Sequence, residues 1–299
     1  MDGASRPATF GALAGSPGMS ASIRLAALVL VLPLSACLSI DLPDAVERTV
    51  TKTFTVQPHS TVRVKLRGGS ISAETGNPGA VKVTLVERVN AASESQIDAL
   101  LADYDITLKQ EDGDVVVSAR RRSDDDWKLW KANRVHISAR LVVPSDAKLD
   151  FDTSGGSIAV RGDRDEALKV DTSGGSITVD GGSGALDVDT SGGSIAVKRV
   201  LTSLKADTSG GSITVGYVGP RATNIDLDTS GGSIRVGVDD EASLRVDAGT
   251  SGGGVGVDGL TMSDVEQGRS HIRGSINGGS GRLHANTSGG SITIKAARE

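Results

Sequence analysis

Over the second half of the chain, apolar residues alternate with polar ones in short bursts: Leu168 and Val170, Ile177 and Val179, Leu186 and Val188, Ile195 and Val197. A period of two predicts strands with one buried face. The bursts come in pairs, Leu-x-Val and then Ile-x-Val, and the same heptapeptide links the members of each pair. It reads Asp-Thr-Ser-Gly-Gly-Ser-Ile from Asp152, Asp171, Asp189, Asp207 and Asp228, and returns as Asn-Thr-Ser-Gly-Gly-Ser-Ile from Asn286. Successive copies of the first five start 19, 18, 18 and 21 residues apart. That period is too short for a pair of helices and fits one turn of a β-solenoid. The expected fold class is all-β: a single-stranded parallel β-helix, right-handed by the general preference of parallel crossovers, with a β-rich N-terminal cap carrying one helix.

From Val170 to Ile177 the spacing is odd, so strict alternation breaks inside the heptapeptide. The paired glycines are the expected place for the break, with φ > 0 at the corner. Parallel coils stack about 4.8 Å apart, so eight coils, counting degenerate ones at Gly249 and Ser270, would make a rod of roughly 40 Å. Identical residues then form ladders. In the ladder of Asp152, Asp171, Asp189, Asp207 and Asp228, like charges about 5 Å apart repel by about 0.8 kcal/mol per pair even in water. Two compensations are open: an Asx-turn to the amides of the following corner, or a cation such as Ca²⁺ bridging neighbouring coils. Asn286 and Gly249 keep the pattern without the charge, which favours the turn. The Gly-Gly-x-Gly-x-Asp calcium signature also fails after Gly184.

Ahead of the repeats, β-branched runs predict strands over 49–56, 61–66, 81–89, 106–110, 115–120 and 135–143. Gly68-Gly69-Ser70-Ile71 is an outlying copy of the corner. One helix interrupts: Ser93 caps it, Gln96 holds the capping-box position, and Ile97, Leu100, Leu101 and Tyr104 form an apolar stripe. Its expected task is to cover a solenoid end, where unpaired strand edges would otherwise be exposed. Residues 258–273 break the repeat, and the charged tail from Lys295 would guard an edge.

Composition removes one class of function. A net charge of −5 and an aromatic content of 2% leave neither the basic footprint nor the stacking platforms of a nucleic-acid binder. The N-terminus adds a location. Met19 opens a signal-like stretch, with Arg24 in the basic region, Leu25 to Leu34 apolar, and then Leu34-Ser35-Ala36-Cys37. This is similar to a bacterial lipoprotein signal, in which Cys37 becomes the lipidated first residue. The apolar run is shorter than the roughly 20 residues of a membrane span and is interrupted by Pro33. By the same resemblance, Leu38 after the cysteine implies sorting to the outer membrane. The expected organisation is a removed signal segment over 1–36, a lipidated tether over 37–48, a β-rich cap with first coils over 49–145, and the repetitive solenoid over 146–299.

Both tryptophans, Trp127 and Trp130, sit in a charged stretch between two strands. Either they fold back on the cap, or they contact a partner, glycan or lipid headgroup. Chemistry-bearing patterns are missing elsewhere. The four histidines are far apart in sequence, the repeated serines fit as corner formers, and the glycine-rich stretches lack a phosphate-loop lysine. No catalytic residue, metal site or cofactor is therefore expected.

The lipobox, the β-rich start, the repeated Ser-Gly-Gly-Ser-Ile corners and the approach Ile276-Asn277-Gly278-Gly279 to the last coil together resemble the bacterial "putative adhesin" family, a domain of unknown function, over about residues 49–294. The resemblance implies a β-solenoid in the cell envelope and supplies no catalytic residues. The sequence thus leads to a non-enzymatic outer-membrane lipoprotein presenting its solenoid for adhesion or binding. Its expected contacts are the membrane, through the lipid on Cys37, and an envelope protein, glycan or host surface. A periplasm-facing structural or sensory component is the second reading, and a polysaccharide-active solenoid enzyme the third.

Overall fold

In the computed structural model, which describes residues 45–90, 93–122 and 135–298, each Leu-x-Val and Ile-x-Val burst becomes a strand with its apolar residues inward. The chain starts with β1 (Ala45–Thr55), β2 (Thr61–Leu66), β3 (Ile71–Thr75) and β4 (Ala80–Asn90). Helix α1 (Glu94–Leu101) follows, then β5 (Tyr104–Glu111), β6 (Asp114–Arg121) and β7 (Val135–Val143). The repeats supply β8 (Lys148–Thr153), β9 (Ile158–Arg161), β10 (Leu168–Thr172), β11 (Ile177–Gly182), β12 (Leu186–Thr190), β13 (Ile195–Val200), β14 (Ser203–Thr208) and β15 (Ile213–Val218). After them come β16 (Asn224–Thr229), β17 (Ile234–Val238), β18 (Leu244–Thr250) and β19 (Val255–Asp258). The last are β20 (Ser263–Gln267), β21 (His271–Ile276), β22 (Gly281–Thr287) and β23 (Ile292–Ala296).

Each coil gives one strand to each of two sheets. The Leu sheet runs β20-β21-β18-β22-β16-β14-β12-β10-β8-β2-β6-β5, and the Ile sheet runs β1-β4-β7-β3-β9-β11-β13-β15-β17-β23-β19. Equivalent residues stack in register: Leu149, Leu168, Leu186, Leu204, Ile225 and Leu283 on one side, Ile71, Ile158, Ile177, Ile195, Ile213, Ile234 and Ile292 on the other. All are buried in one continuous core. With so few aromatics, that core is mainly aliphatic, with Phe54 and Phe151 as its aromatic members.

Coil order in space departs from coil order in sequence at both ends. The β22–β23 coil is inserted between β16–β17 and β18–β19, pairing in parallel with both. Likewise β2–β3 lies between β6–β7 and β8–β9. Antiparallel strands then close the ends: β21 and β20 beyond β18, β5 beyond β6, and β4 and β1 beyond β7. Helix α1 is capped by Ser93, whose hydroxyl accepts from the Gln96 amide at 3.4 Å, and it lays Ile97 and Leu100 into the core. Among the described residues, no helix is long and apolar enough to cross a membrane.

The corner works differently from the sequence expectation. Alternation does break there, since Thr172 and Gly175 are buried with Ser173 and Gly174 exposed between them. The heptapeptide glycines, however, do not take positive φ; that conformation falls at other turns, such as Gly162 and Gly181. What demands glycine is the approach of the next coil. A Cβ on Gly193 would lie 2.0 Å from the Gly175 carbonyl oxygen, and one on Gly211 1.9 Å from that of Gly193. The corner amides are also not held by Asp carboxylates. The buried threonine of each heptapeptide does that work: the Thr190 hydroxyl donates to the Gly175 carbonyl of the preceding coil at 2.9 Å and accepts from the Gly193 amide at 3.3 Å. Thr172, Thr208, Thr229 and Thr287 repeat the arrangement. A second ladder runs through the corner serines, with the Ser194 amide donating to Ser176 Oγ and the Ser212 amide to Ser194 Oγ.

Three further expectations change. The segment at Ser270 is not a coil, because β21 runs antiparallel to β18. The first strand begins at Ala45, inside the expected tether, because β4 is long enough to pair it from Ala45↔Asn90 onward. The charged tail guards no edge, since β23 has a strand on each side. The exposed edge strand β20 carries Asp264 and Glu266 instead.

Candidate functional site: the charged face of the Leu sheet

The Leu sheet turns two outward ladders to solvent. The first is the expected one: Asp152, Asp171, Asp189, Asp207 and Asp228 stand in register, bounded by Lys65 on β2 and Asn286 on β22. The second lies two residues earlier on every strand, on the same face. It reads Arg63, Asp150, Lys169, Asp187, Lys205, Asp226, His284, Asp247 and Arg273. Here the sign alternates from coil to coil, so every neighbour across the sheet up to Asp226 is an opposite charge. Cross-strand pairs of opposite charge stabilise and like pairs destabilise. The alternating ladder thus offsets the uniform one beside it.

The pKa directions agree. Burial, and then the neighbouring carboxylates, push Asp171, Asp189 and Asp207 above the ordinary aspartate value, while Lys169 and Lys205 pull the other way. A carboxyl whose folded pKa is raised contributes stability below its unfolded pKa that is lost as pH rises through the folded one. At neutral pH the ladder is therefore under strain. Asp189→Asn is expected to raise stability at pH 7 by about 0.5 kcal/mol after solvent screening, and by less at pH 3, where the aspartates are protonated. Thermal melts at the two pH values measure it, and a loss of stability at pH 7 would contradict the account.

At one end of this face the ladders bring three potential metal ligands together. Asp226 and Asp228 on β16 and His284 on β22 each offer a ligand atom, all within 4.8 Å of one another. The Nδ1 atom of His284 is buried and has no hydrogen-bond partner. On the other side of His284, Asp247 is engaged by Arg273 Nε at 3.2 Å. Elsewhere, an open groove of about 380 Å³ beside β7 is lined by Arg88, His136, Arg140, Ser70 and Ser138. Cys37, Trp127 and Trp130 lie outside the described residues.

Of the sequence candidates, the structure places the five aspartates in one row and joins only Asp228 to a ligand group. It adds the threonine ladder, the alternating charges and His284. The alternation is readable once the copies are aligned, as Lys169, Asp187, Lys205 and Asp226 all fill the x of Leu-x-Val or its Leu-x-Ala and Ile-x-Leu variants. The meeting of His284 with Asp226 needs the inserted coil and has no local signal.

A family model described as Toastrack DUF4097 matches residues 38–295. The chain belongs to this Toastrack family. No curated protein matches the Toastrack chain. Solved structures that resemble it include a "putative adhesin" from Bacteroides fragilis NCTC 9343, at 13% identity and TM-score 0.39, covering 83% of this chain and 97% of that one. A "putative cell adhesion protein" from Clostridium sporogenes ATCC 15579 has 10% identity and TM-score 0.35, with coverages of 83% and 100%. A "putative lipid binding protein" from Parabacteroides distasonis ATCC 8503 has 12% identity and TM-score 0.33, with coverages of 84% and 97%. Likenesses of this size carry no functional argument for the Toastrack chain.

Proposed function

We propose that this Toastrack chain is an outer-membrane lipoprotein, anchored through Cys37, that acts by binding or adhesion and not by catalysis. The observation that supports the reading is the periodic outward face: an aspartate recurs on five successive coils, beside a row whose charge alternates in sign, with coils about 4.8 Å apart. A regular array suits a repetitive or multivalent partner, such as a glycan or an envelope polymer, because weak contacts at matched spacing add through effective concentration. A catalytic site is normally a local departure from a period, and the aspartate row is the period itself.

Two experiments test the halves of this reading. Cys37→Ser removes the thiol that acylation requires and is expected to leave soluble or unprocessed protein. Mature protein that still fractionates with membranes would overturn the anchor. Protease shaving of intact cells is expected to remove an adhesin; full protection would move the protein to the periplasmic side, as a structural or sensory component.

A further inference from the structure

The coil that carries Asn286 departs from the repeat at a second position, where the five Asp-Thr-Ser-Gly-Gly-Ser-Ile coils hold Asp or Lys and it holds His284. We propose that Asp226, Asp228 and His284 form a binding site for a first-row divalent transition-metal ion such as Zn²⁺. The inference is independent of the adhesion reading and of the lipid anchor.

The geometry comes first. A tetrahedral Zn²⁺ takes carboxylate oxygen and imidazole nitrogen at about 2.0–2.2 Å, which holds its ligands about 3.4 Å apart. The three ligand atoms already lie within 4.8 Å of one another, so small side-chain rotations close the gap. All three side chains stand on registered strands of one sheet, with His284 directly opposite Asp226 and Asp228 opposite Asn286. Rigid strands position ligands better than loops do.

Unsatisfied chemistry comes second. A buried polar atom without a partner is costly, and His284 Nδ1 is such an atom. Neither Asp226 nor Asp228 has an ion pair among the described residues. Asp247, the acidic residue on the far side of His284, is held by Arg273 and so is not a competing ligand.

Access comes third. Gly249 stands opposite Asn286, and a Cβ there would meet nothing within 4 Å. The space beside the triad is open, so water or a donor from a partner can complete the coordination. The ligand set also selects the metal: imidazole with carboxylates suits Zn²⁺, Co²⁺ or Ni²⁺, whereas Ca²⁺ requires six to eight oxygens.

The untagged full chain, stripped with a chelator, is titrated by calorimetry with Zn²⁺ and by visible absorption with Co²⁺, with Ca²⁺ and Mg²⁺ as controls. The expected result is one Zn²⁺ or Co²⁺ per chain, a melting temperature that rises with Zn²⁺ as ligand linkage requires, and no response to Ca²⁺ or Mg²⁺ at the same concentration. His284→Ala and Asp226→Asn should lose this binding, while Asp189→Asn, in the same sheet without a histidine neighbour, should keep it. His284→Gln serves as a second variant if His284→Ala fails to fold. Absence of stoichiometric uptake, or equal uptake by the His284 variant, overturns the site.

Discussion

Gly193→Val is expected to disrupt the middle of the rod, at a cost above about 4 kcal/mol, while Thr178→Val on the preceding coil stays within about 0.5 kcal/mol of the parent. The difference is one of place. A Cβ on Gly193 would sit 2.0 Å from the Gly175 carbonyl oxygen and 2.4 Å from its carbon. Both are backbone atoms fixed by the sheets on either side, so neither can move away as a flexible side chain would. Thr178 is exposed on an outward strand position, where valine fits a β-strand as well. Gly193→Ala should already show most of the effect, because the first carbon makes the clash. Denaturant melts of the three variants measure it, and a Gly193→Ala midpoint equal to that of Thr178→Val would refute close coil approach as the reason for the glycine.

Thr190→Val is the second large effect. Valine keeps the shape of threonine, so no cavity opens, but the Gly175 carbonyl loses its donor and the Gly193 amide loses its acceptor. Each buried group left without a partner costs about 1–3 kcal/mol, which gives a total of about 2–6 kcal/mol for the two. Thr190→Ser retains the hydroxyl and gives up one methyl, worth about 0.8 kcal/mol. Valine worse than serine is the required order. The reverse order would mean that packing of the methyl, and not the hydroxyl bridge, holds the corner.

These two positions also show where the sequence was sufficient. The strands, their two-residue period and the coil were legible because each inward Leu, Val and Ile repeats at an 18-residue spacing or close to it. The corner was located correctly but explained through the wrong residue and the wrong force. In one strand the Asp and the Thr look equally able to hold an amide; only stacking decides, because it buries the Thr hydroxyl against the previous coil and leaves the Asp outside. Glycine likewise satisfies either a left-handed turn or a tight approach, and a single coil read alone does not contain the neighbour that makes the approach tight. The candidate site divides the same way. The aspartate row could be read from the repeat, whereas His284 is 56 residues beyond Asp228 and meets it through sheet order alone.

That sheet order alters how the rod comes apart. In a linear stack the chain ends are the first coils to open, since a terminal coil has one interface to lose. Here Ile292–Ala296 hydrogen-bonds to a strand on each side, and so its amides should exchange with solvent as slowly as those of the interior. The weak point moves inward along the sequence, to β20, whose side chains are all exposed. Removing residues from 281 onward would therefore not shorten the rod by its last course. It would extract a course from within and leave the two coils that flanked it facing a gap neither was shaped to close.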